Sequence, residues 1–248
     1  MAAGPFVPFG AQHGVAVAIV LIAATALVVV MRRATTGRPP GSARLDRAIR
    51  WGLAIGCVGI EVSELVRRMV FSGASLRSTL PLNLCDASIL IGPVVLLTAH
   101  RRLYELLYFW GIGGALQALA TPIVTRGFPD PRCLGFFLGH GLVLSSALYA
   151  TVVLRLRPVP RSILRVWLIT TAYGLAMVPV NHWLGTNYLF VLRKPDTPSL
   201  LDLMGPWPWY LATLSGVAFL VLLICYLPFS LKDQAGRRGQ LGSPSAFR

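Results

Sequence analysis

Between Thr79 and Ser88 the run Leu80-Pro81-Leu82-Asn83-Leu84-Cys85-Asp86 sets an amide, a thiol and a carboxylate inside a stretch that otherwise reads as membrane-spanning. Ionisable and nucleophilic groups at membrane depth are costly and mark function by default. A buried thiol is a weak nucleophile unless a base within hydrogen-bond reach takes its proton. His140, expected at a matching depth, can supply that base, and His182 at the membrane surface is its rival. The chemistry this pairing suits is nucleophilic catalysis by a thiolate. Asp86, one residue after Cys85, projects about 100° further around a helix, where it can orient an imidazole and, as a nearby negative charge, also oppose thiolate formation.

These groups need elements to hold them. Hydrophobic residues make up 55% of the 248 and charged ones 13%, a balance that would leave large apolar patches on a soluble domain. Seven apolar stretches stand out, at 14–31, 48–70, 80–99, 103–123, 133–154, 162–181 and 208–228, each close to the ~20 residues that cross a hydrocarbon core as a helix. A β-barrel would alternate apolar and polar residues, whereas Val15 to Val30 and Leu211 to Leu227 are apolar on nearly every side. The expectation is an all-α bundle of about seven transmembrane helices in one domain over residues 1–230. A disordered, Gly-, Ser- and Arg-rich cytoplasmic tail is expected over 231–248. The first stretch has no Lys or Arg ahead of it and no clear cleavage site after it, so it reads as a retained helix and not a signal peptide.

Charge orients the bundle. The odd-numbered connections and the tail hold about 16 of the 23 Lys and Arg, including Arg32, Arg33, Arg38, Arg44, Arg47, Arg50, Arg155, Arg157, Arg161 and Arg165. The positive-inside rule then sets the N-terminus outside the cell membrane and the C-terminus in the cytoplasm, as an odd number of spans requires. The net charge of +14 is spread through short loops with no groove-filling motif, so contact between these arginines and anionic lipid is expected and nucleic acid is not.

With that orientation most intramembrane polar residues fall in the outer half. Glu61, Asn83, Asp86, Gln117, Asn181 and His182 are expected there, with Asn187 and Tyr188 in the connection that follows, and all eight are candidate substrate-binding residues around Cys85 and His140. Their mundane role would be helix-to-helix hydrogen bonding. The inner half reads as lacking a comparable set. Cys57 and Cys225 read as small apolar fillers, and His13 and His100 as helix-end residues. Cys85, Asp86, His140 and His182 have none of the spacings typical of zinc sites, so no metal or other cofactor is expected. A Cys85–Cys133 disulfide stays open, because sequence sets no distance between them. The segment from Trp183 to Trp207 is too rich in Gly and Pro for a span and too apolar at Leu189 to Leu192 for plain solvent, which suits a re-entrant or interfacial lid.

Five ordered motifs carry a family resemblance: Leu80 to Asp86; Leu103-Tyr104-Glu105-Leu106-Leu107-Tyr108-Phe109-Trp110-Gly111 leading to Leu116-Gln117-Ala118; Phe136-Phe137-Leu138-Gly139-His140-Gly141; Asn187-Tyr188-Leu189-Phe190 with Arg193-Lys194-Pro195; and Leu200 to Tyr210. Over the third to seventh stretches the chain resembles the YwaF-type integral membrane family. That resemblance implies kinship with animal membrane acyltransferases that remodel phospholipids through a Cys and His pair, matched here by Cys85 and His140. Many relatives have His where this chain has Asn83, so no base role carries to that position.

The expected function is therefore an integral membrane lipid acyltransferase or lipid ester hydrolase, working through a Cys85 thioester with His140 as general base and membrane phospholipids as substrates. Gln117, Asn83 or Asn181 would donate to the developing oxyanion. The alternative from another class is a non-catalytic transporter or a small-molecule or lipid-binding protein, which would need the same polar lining without a nucleophile. Helix seven, over Pro208 to Pro228, has no lysine and so excludes a retinal Schiff base.

Overall fold

The computed structural model describes residues 4–37, 39–195 and 200–241; Arg38 and tail residues 242–248 lie outside them. Among the described residues the secondary structure is helical, with one isolated antiparallel bridge between Pro5 and Arg126. The helices are α1 (Ala11–Thr35), α2 (Ser42–Val66), α3 (Leu76–Thr79), α4 (Leu84–Thr98), α5 (Arg101–Tyr108), α6 (Ala115–Ala120), α7 (Pro131–Val152), α8 (Pro160–Leu184) and α9 (Trp209–Leu241). Each of the seven apolar stretches is helical. Four helices are long and apolar enough to cross a membrane: α1, α7, α8 and residues Trp209–Ala235 of α9. The 25-residue α2 contains Arg50, Glu61 and Glu64, and α4 is apolar but only 15 residues long.

Two helices depart from plain α geometry beside the polar residues. The continuous helix expected over 103–123 is instead α5 and α6 joined by a π-helical segment, Phe109–Gly114, and α2 runs on into a second one, Arg67–Phe71. Gly111, Gly113 and Gly114 lower the barrier to widening the turn, and such segments concentrate at functional sites. Two of these glycines also admit close neighbours. A Cβ on Gly111 would stand 3.1 Å from a Val143 methyl, and one on Gly113 3.0 Å from a Val221 methyl.

The start of α4 falls at Leu84, later than the apolar pattern suggested, because Pro81 lacks a backbone donor and Asn83 caps the helix. Asp86 at the third position accepts the Asn83 backbone N–H at 3.2 Å and its side-chain amide at 2.9 Å. α9 is helical as far as Leu241. Lys232, Asp233, Gln234 and Ala235 continue the helix, and Arg157 ties it back through a 2.7 Å bond to Asp233 and a stack over Phe229.

Half of the spanning window of α7 is buried, against 11% for α9, so α7 is the central rod. Its buried Gly135, Gly139, Ala147 and Ala150 let α1, α2, α4 and α5 approach closely. Val143 and Ala147 join Cys57, Val95, Leu107, Phe109 and Val166 in the main apolar core.

The end of the bundle opposite Cys85 is more polar than expected. Tyr149 donates to Asp46 at 2.6 Å, Arg50 pairs with Asp46 and donates to the Leu96 carbonyl at 3.1 Å, and Arg165 pairs with Glu105. Sequence reading counted these arginines as loop charges; the fold turns them into ties between helices. His13 is a tie as well. Its Nδ1 accepts the Phe9 N–H at 2.9 Å and its Nε2 donates to the Leu119 carbonyl at 2.7 Å, so both ring nitrogens are occupied.

Candidate functional site

Two cavities meet at Cys85. The larger, about 420 Å³, lies between the end of α2, the start of α4, the α5–α6 rod and the first half of α7. Cys85, Asp86, His140 and Glu61 all line it, so four of the ten candidate residues come together around one space. Glu64, Arg67, Arg68 and Arg132 line it too. The smaller, about 280 Å³, lies between the π segment, α8 and α9, and Cys85 with Gln117 lines it. Trp110, in the π segment, borders both spaces alongside Cys85, its indole N–H held at 2.8 Å by Thr170.

His140 sits on α7 with its ring against Phe136, the centroids 4.3 Å apart. Its Nδ1 is 2.8 Å from the Phe136 carbonyl. A carbonyl only accepts, so Nδ1 carries the proton and neutral His140 keeps the lone pair on Nε2, the state a general base requires. Asp86 is an electrostatic neighbour of this imidazole. No hydrogen bond joins Cys85 to His140 among the described residues; catalytic contacts of this kind commonly tighten only with substrate in place. The four cysteines are free thiols, Cys133 being buried against Phe6 and Phe137. No group of three or more His, Cys, Asp and Glu among the described residues converges in a way that could hold a metal ion.

The charged rim of the larger cavity was not apparent from sequence. Glu64 and Arg67, three residues apart on one helix face, form a two-pronged pair, and Arg132 donates to Ser72 at 3.1 Å. Gly135 makes room for that pair, since a Cβ there would collide with the Glu64 carboxylate. Arg68 is a charge neighbour of Glu61 and has no hydrogen bond to a side chain among the described residues. The i, i+3 spacing of Glu64 and Arg67 was the available signal.

The remaining candidates hold a roof. Fully buried Asn181 accepts the Tyr188 N–H at 2.7 Å and the Thr186 hydroxyl at 2.9 Å, and donates to the Tyr188 carbonyl at 3.0 Å. Asn187 accepts from the Leu192 and Arg193 N–H groups and donates to the Arg193 carbonyl at 2.8 Å. Tyr188 donates to the Arg77 carbonyl at 2.8 Å, and Asn83 accepts the Leu189 N–H at 3.4 Å. Leu189 and Phe190 are held at positive φ (59° and 53°), which non-glycine residues adopt only where their surroundings impose it. This connection caps the start of α4 and lends Leu189 and Val191 to the wall of the smaller cavity. Asn83 is thus spent on Asp86 and the Leu189 N–H, and Asn181 on Thr186 and the Tyr188 backbone, while His182 is exposed and lines neither cavity.

Asn181→Ala would strip three partners at once. Leaving buried polar groups unpaired costs about 1–3 kcal/mol each, so a loss of about 3 kcal/mol and faster proteolysis within 187–193 are expected. Thermal unfolding in detergent together with limited proteolysis checks this, and an unchanged midpoint with an intact connection would contradict it.

A family model described as the TMEM164 family matches residues 8–226. The chain is also similar to an uncharacterized protein of Treponema pallidum (strain Nichols), 29% identical over 239 residues that cover 94% of each chain. No solved structure matches it.

Proposed function

The chain belongs to the TMEM164 family, and from that premise we propose that this integral membrane protein transfers or hydrolyses lipid acyl groups through a Cys85 thioester, with His140 as general base. One observation carries the reading: the thiol on α4 and an imidazole on α7, whose Nε2 has no partner among the described residues, face one cavity whose rim bears arginines. The resemblance of the Cys85 and His140 motifs to those of the YwaF-type family supports it. Its setting is a multi-pass domain of about seven helices in the cell membrane, N-terminus outside, as the distribution of arginines favours.

The chemistry runs in two halves. The Cys85 proton passes to His140 Nε2, sulfur bonds to the ester carbonyl carbon, and the ester C–O bond breaks as His140 returns the proton to the departing oxygen. A second lipid hydroxyl, or water, then attacks the thioester, its proton passing through the same imidazole to the Cys85 sulfur as the C–S bond breaks. Asp86 steadies the imidazolium formed in between. Of the three amides considered for the oxyanion, Gln117 shares a cavity with Cys85 and is assigned that contact; Asn83 and Asn181 position the site. Arg68 and Arg132 give a phosphate headgroup its counter-charge.

Peptide mass spectrometry of the purified protein after exposure to native lipid tests the reading. The expected result is a hydroxylamine-labile acyl mass on the Cys85 peptide that disappears in His140→Ala. An unmodified thiol across all lipids, combined with saturable lipid binding, would overturn it in favour of a binding protein or transporter.

A further inference from the structure

The larger cavity is lined by Glu61, Glu64, Arg67, Arg68, Asp86 and Arg132; among the described residues the smaller has no charged residue in its wall. Its polar side chains are mostly satisfied by one another. Trp110 donates to Thr170, Thr170 in turn to the Val166 carbonyl at 2.8 Å, Thr171 meets Ser215 at 3.0 Å, and Trp167 donates to the Ser215 carbonyl at 3.0 Å. What faces the space is then largely hydrocarbon, from Phe109, Leu175, Leu189, Leu211, Leu214 and Val221. Water gains little in such a space, and an alkyl chain is the natural occupant. Small-molecule sites usually run from about 300 Å³ upward, so a cavity of about 280 Å³ suits one chain rather than a whole lipid.

Cys85 borders both spaces, and a thioester has two sides to accommodate: the sulfur with its proton-transfer partner, and the acyl chain. We propose that the smaller cavity is the acyl-chain compartment of the Cys85 thioester and that its glycine-faced wall sets the length of chain accepted. The proposal rests on the thioester reading. Gly174 on α8 is the clearest determinant, because a Cβ built there meets nothing within 4 Å although the residue lines the cavity. A side chain at that position would therefore take cavity space without displacing protein. Gly113, by contrast, is tight against Val221 and is needed for packing. On the facing wall, Leu214 of α9 bounds the cavity, so trimming it lengthens the space.

The test uses the full-length protein in detergent with a homologous series of p-nitrophenyl esters from butyrate to palmitate, a headgroup-free probe. Acyl mass on the Cys85 peptide is read by mass spectrometry. Gly174→Leu is expected to move the ratio of palmitoyl to butyryl labelling toward the short chain by at least about tenfold while butyryl labelling persists, and Leu214→Ala to move it toward the long chain. A thermal unfolding midpoint in detergent matching wild type, together with butyryl labelling that still requires His140, shows that Gly174→Leu has folded. A chain-length profile unchanged in both variants, with Cys85 still labelled, would overturn the compartment assignment and leave the thioester standing. Absence of any adduct on wild-type Cys85 would remove the thioester reading and the compartment with it.

Discussion

Membranes containing Cys85→Ala are expected to lose lipid acyl turnover by at least about a thousandfold relative to wild type, and His140→Ala by about 10²–10⁴-fold. The two losses should not add. If His140 acts only by relieving Cys85 of its proton and returning it, then once the thiol is gone the imidazole has nothing left to activate, and the double variant should match Cys85→Ala. Substrate binding should survive in all three, because Arg68 and Arg132 keep their places on the rim of the larger cavity and the smaller cavity keeps its apolar wall. Turnover of isotopically labelled phospholipid in proteoliposomes, normalised to folded protein, is the measurement. Wild-type turnover in Cys85→Ala would end the covalent mechanism outright. Strictly additive losses would mean that His140 serves some other step.

The second large effect is on stability. Glu105 is 9% exposed and pairs with Arg165, whose side chain is 31% exposed, tying α5 to α8 at the end of the bundle away from Cys85. Glu105→Ala leaves a guanidinium without its partner. Breaking a fully buried pair costs about 3–5 kcal/mol, but Arg165 can extend toward water along its aliphatic stem, so about 2–3 kcal/mol is expected here. Glu105→Gln, which keeps a hydrogen-bond acceptor, should recover part of that loss. Thermal unfolding in a single detergent distinguishes the two variants. Equal midpoints for wild type and Glu105→Ala would show the pair to be energetically idle.

The physical contrast between the two ends of the bundle explains how much was readable beforehand. Helical stretches are written in local apolarity, so each of the seven appears as helix, within a few residues at its ends. Boundaries moved where a single residue overrode the pattern, as at Asn83 and Asp86 on α4. The π segment was hidden, because three glycines in an apolar run suit a plain helix equally well until Val143 and Val221 press against two of them.

The candidate site divided in the same way. Cys85, Asp86, His140 and Glu61 could be grouped by depth, since rise per residue along a helix is nearly constant. Depth says nothing about which way a side chain turns. That is why Asn181, Asn187 and Asn83, grouped with the others by depth, proved to be holding backbone in the 187–193 connection, while Arg67, Arg68 and Arg132, absent from the candidates, line the cavity.

From the sequence by itself came the solvent for which this protein is built, its helical class, and the short roster of side chains able to do chemistry, because each is a property of composition or of neighbours along the chain. Only the tertiary structure decided that Cys85 stands between a charged space and an apolar one, and that the proton of neutral His140 is held on Nδ1. Those facts depend on how α4, α7, α8 and α9 rotate about their axes against one another. Helix rotation is set by packing summed over many distant residues, and no short motif encodes it.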